Sequence, residues 1–131
     1  MTDKLDIILA EISAGELIDK ITILEIKEEK ITDNKKLVDI KKELFSLNKT
    51  FKEMIIDTAK IEPLISKLKI INLKLWDIEN GKRLAEKKND FGKSFIELAR
   101  NVYKENDQRS KIKLEINKLL GSNIKEVKSH Y

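Results

Sequence analysis

The sequence predicts an all-α protein, a single domain built as a bundle of long antiparallel helices. Charged residues make up 38% of the chain and hydrophobic residues 40%, while glycine occurs four times and proline once. This composition is typical of helical bundles and coiled coils. Long stretches also place apolar residues three and four positions apart, which puts them on one face of a helix. We therefore expect one hydrophobic core between the helices of residues 1–131.

The first element is predicted to be a short strand. Residues 5–12, LDIILAEI, are apolar, rich in isoleucine and only eight long, which favours a strand over a helix. The segment ends at Ser13, whose spacing from Glu16 matches a helix capping box. Because a lone strand leaves its backbone groups unpaired, we expect a two-stranded ribbon with residues 124–129, within one chain or between two.

The next two elements are helices, predicted at residues 14–31 and 35–59. The capping box begins the first, and residues 32–34, Thr-Asp-Asn, separate it from the second. The second helix repeats apolar residues at alternating steps of three and four, so that one continuous stripe requires a partner helix. That stripe consists of Leu37, Ile40, Leu44, Leu47, Phe51 and Met54.

The last two helices are predicted at residues 63–88 and 93–120. Pro63 suits the first turn of a helix, where its missing amide hydrogen has no intrahelical partner to lose. The polar and glycine-containing residues 89–92 separate the two helices. Gly121 is a favourable residue for ending the fourth helix.

Several classes of protein are disfavoured by residues that the chain lacks. Without cysteine, and with His130 as the single histidine, disulfides, thiolate ligands and a histidine-rich metal centre are excluded, and no pattern indicates a cofactor. No apolar run approaches the roughly 20 residues of a membrane span. Residues 1–13 are too acidic for a signal peptide. We therefore expect a cytoplasmic protein with no membrane contact.

The net charge of +4 is unevenly distributed along the chain. Residues 1–33 carry 4 basic and 9 acidic groups, whereas residues 34–93 carry 15 basic and 9 acidic groups. Most lysines alternate with acidic residues at helical spacing, which is typical of a solvated helix face. No phosphate-binding loop or RNA-binding aromatic motif is present. In spite of the pI of 9.1, the sequence does not favour a nucleic-acid partner.

Three stretches together resemble a family of small bacterial and phage proteins catalogued as a domain of unknown function. They are GELIDKITILEIKEEKI at 15–31, LWDIENGKRLAE at 75–86 and FGKSFIELARNVYKENDQR at 91–109, the last followed by INKLLGS. The resemblance covers nearly the whole chain and implies a cytoplasmic protein encoded near genes for surface-glycan assembly. The chain departs from the family pattern at Asn80 and Gly81, where a kink or a local loss of helix would put a site on the third helix in doubt.

Arginine is rare enough to be informative. Of the 27 basic residues, 24 are lysine, and the three arginines, Arg83, Arg100 and Arg109, all lie within the family-like stretches. The planar guanidinium group binds a carboxylate or phosphate through two parallel hydrogen bonds, which lysine cannot do. The arginines therefore indicate either salt bridges between helices or a site for an anion or substrate.

Two glutamates on the first helix are candidate partners for the arginines. Glu25 and Glu28 are one turn apart, and Glu28 falls within the apolar stripe, where a buried carboxylate requires compensation. We predict that one of them pairs with Arg100 or Arg109, in either a structural network or a polar pocket. The candidate residues are Lys20, Glu25, Glu28, Arg83, Arg100, Asn106 and Arg109.

Two functions are compatible with these residues, and neither assigns a catalytic residue. The first is a non-enzymatic binding or scaffold protein near surface-polysaccharide assembly, with a protein or an anionic small molecule as its partner. The alternative is a small-molecule enzyme similar to chorismate mutase or to the helical nucleotide pyrophosphohydrolases, whose acidic pairs bind magnesium. A second acidic pair is missing here, because Asp77 and Glu79 are two positions apart and do not share a helix face.

The second and third helices are too widely apolar to be covered within one chain. Residues outside their main stripes include Val38, Phe45, Ile55 and Ile56, then Ile65, Ile70, Leu73 and Trp76. Helices of about 25 residues are close to 38 Å long at a rise of 1.5 Å per residue. We expect a symmetric homodimer built chiefly from these two helices.

Overall fold

The computed structural model describes residues 4–129, and four α-helices make up its fold. They are α1 (Ala14–Lys30), α2 (Asn34–Met54), α3 (Glu62–Lys87) and α4 (Lys93–Leu120). The all-α prediction is confirmed, and every helix begins within one residue of its predicted start. His130 lies outside the described residues.

The helix ends follow from local side-chain chemistry. Ser13 Oγ accepts a hydrogen bond of 3.0 Å from the Glu16 amide, as the capping box requires, but the Glu16 carboxylate turns away to Lys113. At the other end of the fold, Gly121 closes α4 in the left-handed conformation, with φ of 62°. Glycine adopts this conformation without the steric cost of a side chain.

The helix α2 ends five residues before its predicted end. The backbone leaves the helical conformation at Ile55, and Asp57 Oδ1 accepts a hydrogen bond of 3.2 Å from the amide of Ala59. This local side-chain acceptor offers the backbone an alternative to the helical hydrogen bond. The amides of Ile61 and Glu62 then bond to the Thr58 carbonyl and begin α3.

The helix α1 lies at the centre of the fold. It packs against each of the other helices, α3 and α4 pack together, and the backbone of α2 lies beside α1 alone. One core cluster joins α1 to α3 and α4 through Ile18, Ile61, Leu64, Leu68, Ile71, Ile112 and Ile116. A second joins α1 to α2 through Leu17, Ile21, Leu24, Ile40 and Leu44.

The predicted β-ribbon is wrong. Residues 4–12, which we call the arm, contain no strand, and neither does any other part of residues 4–129. The C-terminal segment lies against the start of α1, where Ser122 Oγ accepts from the Ala14 amide and Ser13 Oγ donates to Glu126. These side-chain contacts at α1, and not backbone pairing with the arm, position the C-terminal segment.

The helix α3 is continuous through Asn80 and Gly81, so the departure from the family pattern produces no loss of helix. A Cβ atom at Gly81 would lie 3.2 Å from Leu98 Cδ1 on α4. The glycine therefore permits close packing of α3 on α4. No helix within residues 4–129 has the length and apolar character needed to cross a membrane.

Candidate functional site

A buried carboxylate links three helices. Asp19, in the second turn of α1, is 1% exposed. Its Oδ1 accepts a hydrogen bond of 2.9 Å from Asn72 Nδ2 on α3, and its Oδ2 accepts from Arg109 Nε at 3.1 Å and lies 2.9 Å from Arg109 Nη2. Lys113 Nζ is 3.8 Å from the same oxygen. A buried charge needs such compensation, which here comes entirely from α3 and α4.

The amide of Asn72 is held by a second acceptor. Its Nδ2 also donates to Thr22 Oγ1 at 2.8 Å, and the Thr22 hydroxyl donates to the Asp19 carbonyl at 2.8 Å. Among the described residues, no buried side-chain polar atom lacks a hydrogen-bond partner. A fully satisfied network of this kind orients its members and stabilises one arrangement of the helices.

An open cleft of about 430 Å³ lies next to this network, between α1, α3 and α4. We call it the Arg83–Arg109 cleft. It is mainly apolar, with its polar groups concentrated on α3 and α4. The lining residues are Ile23, Ile26, Asn72, Leu75, Trp76, Glu79, Asn80, Arg83 and Arg109.

The two arginines differ in how far their charge is already used. Arg109 is held by two neighbours, because its Nε donates to Asp19 Oδ2 at 3.1 Å, its Nη2 lies 2.9 Å from the same oxygen, and its Nη1 donates to Asn106 Oδ1 at 3.3 Å. Arg83 is exposed and forms no ion pair within residues 4–129, while Glu79 pairs with Lys82 at 3.4 Å. Among the described residues, the cleft therefore combines one guanidinium group without an ion pair and a second that is paired with Asp19.

The structure brings together only some of the predicted site residues. Arg83 and Arg109 line one cleft, and Asn106 contacts Arg109 from the same helix. Glu25 lines a different cleft of about 420 Å³ between α1, α2 and the start of α3. Lys20 is exposed and forms an ion pair within its own helix.

The predicted pairing of Glu25 or Glu28 with Arg100 or Arg109 is wrong. Arg109 binds Asp19 instead, and Arg100 is exposed. Glu28 is exposed because it belongs to the last turn of α1, which lies outside the core. The position of Glu28 in the apolar stripe had predicted that its carboxylate is buried. Solvent surrounds this carboxylate instead, so it needs no arginine partner.

Asp19 and Asn72 were not predicted as site residues, although the sequence contains a signal for Asp19. Gly15, Asp19, Thr22 and Ile26 follow one another at steps of four, three and four, and all four are buried. This spacing defines a second buried face of α1 beside the stripe of leucine and isoleucine. A helix with two buried faces must lie at the centre of a bundle, where its carboxylate requires partners.

A second polar cluster, which we call the Lys113 cluster, joins the start of α1 to α4 and the C-terminal segment. Lys113 Nζ lies 2.5 Å from Glu16 Oε2 and 3.2 Å from Glu126 Oε2, and Ser13 Oγ donates to Glu126 Oε1 at 2.7 Å. Burial by itself would lower the pKa of Lys113, but the hydrogen bond to Glu16 and the nearby carboxylates raise it above 10.5. Burial would raise the pKa of Glu126, yet the Ser13 hydroxyl and Lys113 hold it below 4.5.

The start of α1 is not available to an anion. Its first three amides, at residues 14–16, donate in turn to Ser122 Oγ at 3.1 Å, Asn117 Oδ1 at 2.6 Å and Ser13 Oγ at 3.0 Å. These amides would otherwise form the usual anion site at a helix N-terminus. Here they connect α1 to the end of α4.

The Lys113 cluster predicts a specific dependence of stability on pH. Because the pKa of Glu126 is lowered on folding, its contribution is present above pH 4.5 and is lost as the pH falls through the lower folded value. Because the pKa of Lys113 is raised, its contribution is present below pH 10.5 and is lost as the pH rises further. The melting temperature of Glu126→Gln should therefore be below that of the parent protein at pH 7, and this difference should disappear in acid.

The control is Glu115→Gln, which changes an exposed carboxylate of α4 that forms no ion pair within residues 4–129. Its melting temperature should follow that of the parent protein throughout the acid range. A difference between Glu126→Gln and the parent that stays constant from pH 7 into acid would show that ionisation of Glu126 does not stabilise the fold.

Comparison with known protein families places the chain in one of them. The profile of DUF6165, a family of unknown function, matches residues 8–131. The chain belongs to this family. The predicted membership of a family of unknown function is thereby confirmed. Every residue of the Arg83–Arg109 cleft and of the Lys113 cluster lies within the matched range. Neither a curated protein nor a solved structure matches the chain.

Proposed function

We propose that this DUF6165 protein is a non-enzymatic binding protein whose Arg83–Arg109 cleft takes a small molecule with an anionic group. The proposal rests on one observation, that Arg83, which forms no ion pair within residues 4–129, lines the same cleft as the guanidinium group of Arg109. Guanidinium groups bind carboxylates and phosphates through charge-assisted, two-point hydrogen bonds. The Asn80 amide, which precedes Arg83 on α3, also lines the cleft and adds further polar groups.

The rest of the cleft suits an apolar or ring-shaped part of the ligand. Ile23, Ile26 and Leu75 line it together with Trp76, whose flat indole ring offers a stacking surface and one N–H donor. Ligand sites are usually apolar clefts of roughly 300–1,000 Å³ with a few placed polar groups. The volume of about 430 Å³ agrees with a small ligand.

Binding without catalysis is favoured because the carboxylates in and beside the cleft already pair with other side chains. The carboxylate of Asp19 is fully engaged with α3 and α4, and Glu79 in the cleft pairs with Lys82. An enzyme of the chorismate-mutase kind would need arginine, lysine and glutamate around one cavity, whereas Lys20 and Glu25 lie apart from Arg109. The cleft therefore lacks an obvious general acid or base.

The proposal includes a cytoplasmic role near surface-polysaccharide assembly, with or without a protein partner. Its support is the gene association that the family resemblance implies. Nucleotide sugars are suitable test ligands, since they combine a diphosphate with rings that can stack on an aromatic side chain.

The proposal also includes a homodimer formed through α2 and α3. Its support is the position of α2, whose backbone lies beside α1 alone within residues 4–129 and which exposes Val38 and Phe45 on its outer side. Ile70 of α3 is also 54% exposed. A symmetric dimer would cover such surfaces by using the same patch on both subunits.

Ligand binding is tested by a thermal-shift screen of nucleotides, nucleotide sugars and simpler anionic metabolites, followed by calorimetric titration of each hit. The Arg83→Ala variant should bind at least about tenfold more weakly, because a charge-assisted hydrogen bond contributes about 1.5–3 kcal/mol. Its melting temperature without ligand should be nearly unchanged, since Arg83 is exposed.

The matched control is Arg100→Ala, which removes an exposed arginine that does not line the cleft. Its affinity for the same ligand should equal that of the parent protein. Equal affinities of Arg83→Ala and the parent would refute the cleft as the site, and so would equal weakening in the two variants.

A further inference from the structure

The arm exposes a continuous apolar sequence. It has no regular secondary structure, and within the described residues none of its backbone groups forms a hydrogen bond. The exposed fractions are 87% for Leu5, 88% for Ile7, 79% for Ile8 and 90% for Leu9. Contiguous apolar surface of this kind is characteristic of an interaction site. Its charged residues, Lys4, Asp6 and Glu11, are also exposed, so one basic and two acidic groups give the arm a net charge of −1.

A complementary surface lies on the outer side of α2. Six exposed residues follow one another at steps that place them on one helix face. They are Val38, Lys41, Lys42, Phe45, Lys49 and Lys52, which we call the α2 stripe. Val38 is 67% and Phe45 75% exposed. Within residues 4–129, none of the four lysines forms a salt bridge, so their charge remains uncompensated.

We propose that the arm of one chain docks on the α2 stripe of a second copy, in a reciprocal exchange. The charges are complementary, since Lys4, Asp6 and Glu11 give the arm a net charge of −1 and the stripe carries four lysines. The lengths also agree, since residues 5–12 span about 26 Å when extended and the stripe spans about 21 Å along α2. The apolar side chains of the arm would cover Val38 and Phe45.

A second copy fits the stripe better than other occupants do. The arm does not contact its own α2, and the stripe lies on the side of α2 that α1 does not cover. An anionic lipid surface would attract the lysines but repel Asp6 and Glu11. Two identical contacts related by a twofold axis would cover both arms and both stripes at once. The inference rests on the proposed homodimer and adds the arm to its interface, as the segment that covers the outer side of α2.

Disulfide trapping between two different chains tests the contact directly, because the protein has no cysteine. Ile8→Cys is prepared in one chain and Phe45→Cys in another with a larger tag, and the two are mixed and oxidised. In the control, the second chain carries Ile96→Cys in place of Phe45→Cys, at a position on α4 that is 54% exposed. The disulfide between Ile8→Cys and Phe45→Cys should form at least about tenfold faster than the disulfide between Ile8→Cys and Ile96→Cys.

Two results of the trapping experiment would overturn the proposal. The first is that the disulfide between Ile8→Cys and Phe45→Cys forms no faster than the disulfide between Ile8→Cys and Ile96→Cys. The second is a concentration-independent disulfide inside a single chain that contains both Ile8→Cys and Phe45→Cys, which would assign the stripe to the arm of the same chain.

Sedimentation separates this contact from dimerisation by other surfaces. Combining Lys41→Glu with Lys42→Glu should weaken the dimer at least about tenfold, since each change acts in two symmetric contacts. Adding Asp6→Lys and Glu11→Lys should restore most of the affinity. A parent protein that is monomeric at tens of micromolar would remove the homodimer and this inference together. A dimer unaffected by these changes would retain the homodimer and reject the arm contact.

Discussion

Replacement of Arg109 with methionine should lower the free energy of unfolding by about 3 kcal/mol, because it removes the main partner of a buried charge. Asp19 would keep the hydrogen bond from Asn72 and the more distant Lys113, but it would lose both guanidinium contacts. The Arg109 side chain is 29% exposed, so water can reach part of the site and the loss should not exceed this value. For a domain of this size, the melting temperature should fall by about 10 °C.

Denaturant titration of Arg109→Met beside Arg100→Met measures this effect. Arg100 is an exposed arginine on the same helix, and its replacement should change stability by less than about 0.5 kcal/mol. Adding Asp19→Asn to Arg109→Met removes the buried charge and should recover part of the loss, so that the two changes are not additive. Equal losses in Arg109→Met and Arg100→Met would show that the ion pair contributes nothing measurable.

Replacement of Gly15 with alanine should destabilise the fold by about 2 kcal/mol, although alanine is the better helix former. The added Cβ would lie 2.6 Å from the carbonyl oxygen of Lys113 and 2.9 Å from Asn117 Oδ1. Backbone cannot move aside as a flexible side chain can, so α1 and α4 must separate. The same shift would lengthen the 2.6 Å hydrogen bond between the Gly15 amide and Asn117.

The control for steric contact is Gly81→Ala, which also adds a methyl group inside a helix. Its Cβ would meet only the Leu98 side chain, at 3.2 Å, and a small rotation of that side chain would accommodate it. Stability should therefore change little, or rise through helix propensity. Denaturant titration compares the two variants, and a loss in Gly81→Ala equal to that in Gly15→Ala would contradict the steric explanation.

The helices were predictable because their determinants are local. Apolar spacing and local end signals act within a few residues. The caps at Ser13 and Asp33 begin α1 and α2, Pro63 lies in the first turn of α3, and Gly121 ends α4. The end of α2 was misplaced because Asp57 provides a competing local acceptor. The ribbon failed for a different reason, since Ser122 and Glu126 prefer the start of α1 to the arm.

The candidate site was predictable only in part. The rarity of arginine singled out Arg83, Arg100 and Arg109. Arg109 pairs with Asp19 and lines one cleft with Arg83, whereas Arg100 is exposed and lies outside that cleft. Nothing in the spacing along α1 states which of its carboxylates faces α4, because that depends on the rotation of one helix against another. Glu25 and Asp19 are six residues apart, which on a helix places them on different faces.

The central position of α1 has a consequence for how the chain folds as it is synthesised. The helix α1 leaves the ribosome first, yet the acceptors for its first two amides are Asn117 and Ser122, and Asp19 receives its cations from Arg109 and Lys113. Contacts between residues far apart in sequence form late in folding. The nascent chain can pair α1 with α2 through their shared apolar cluster, but that intermediate retains an uncompensated carboxylate on a surface that α3 and α4 later cover. The charge of Asp19 would keep this surface hydrated, and so guard it against premature association, until the fourth helix has emerged.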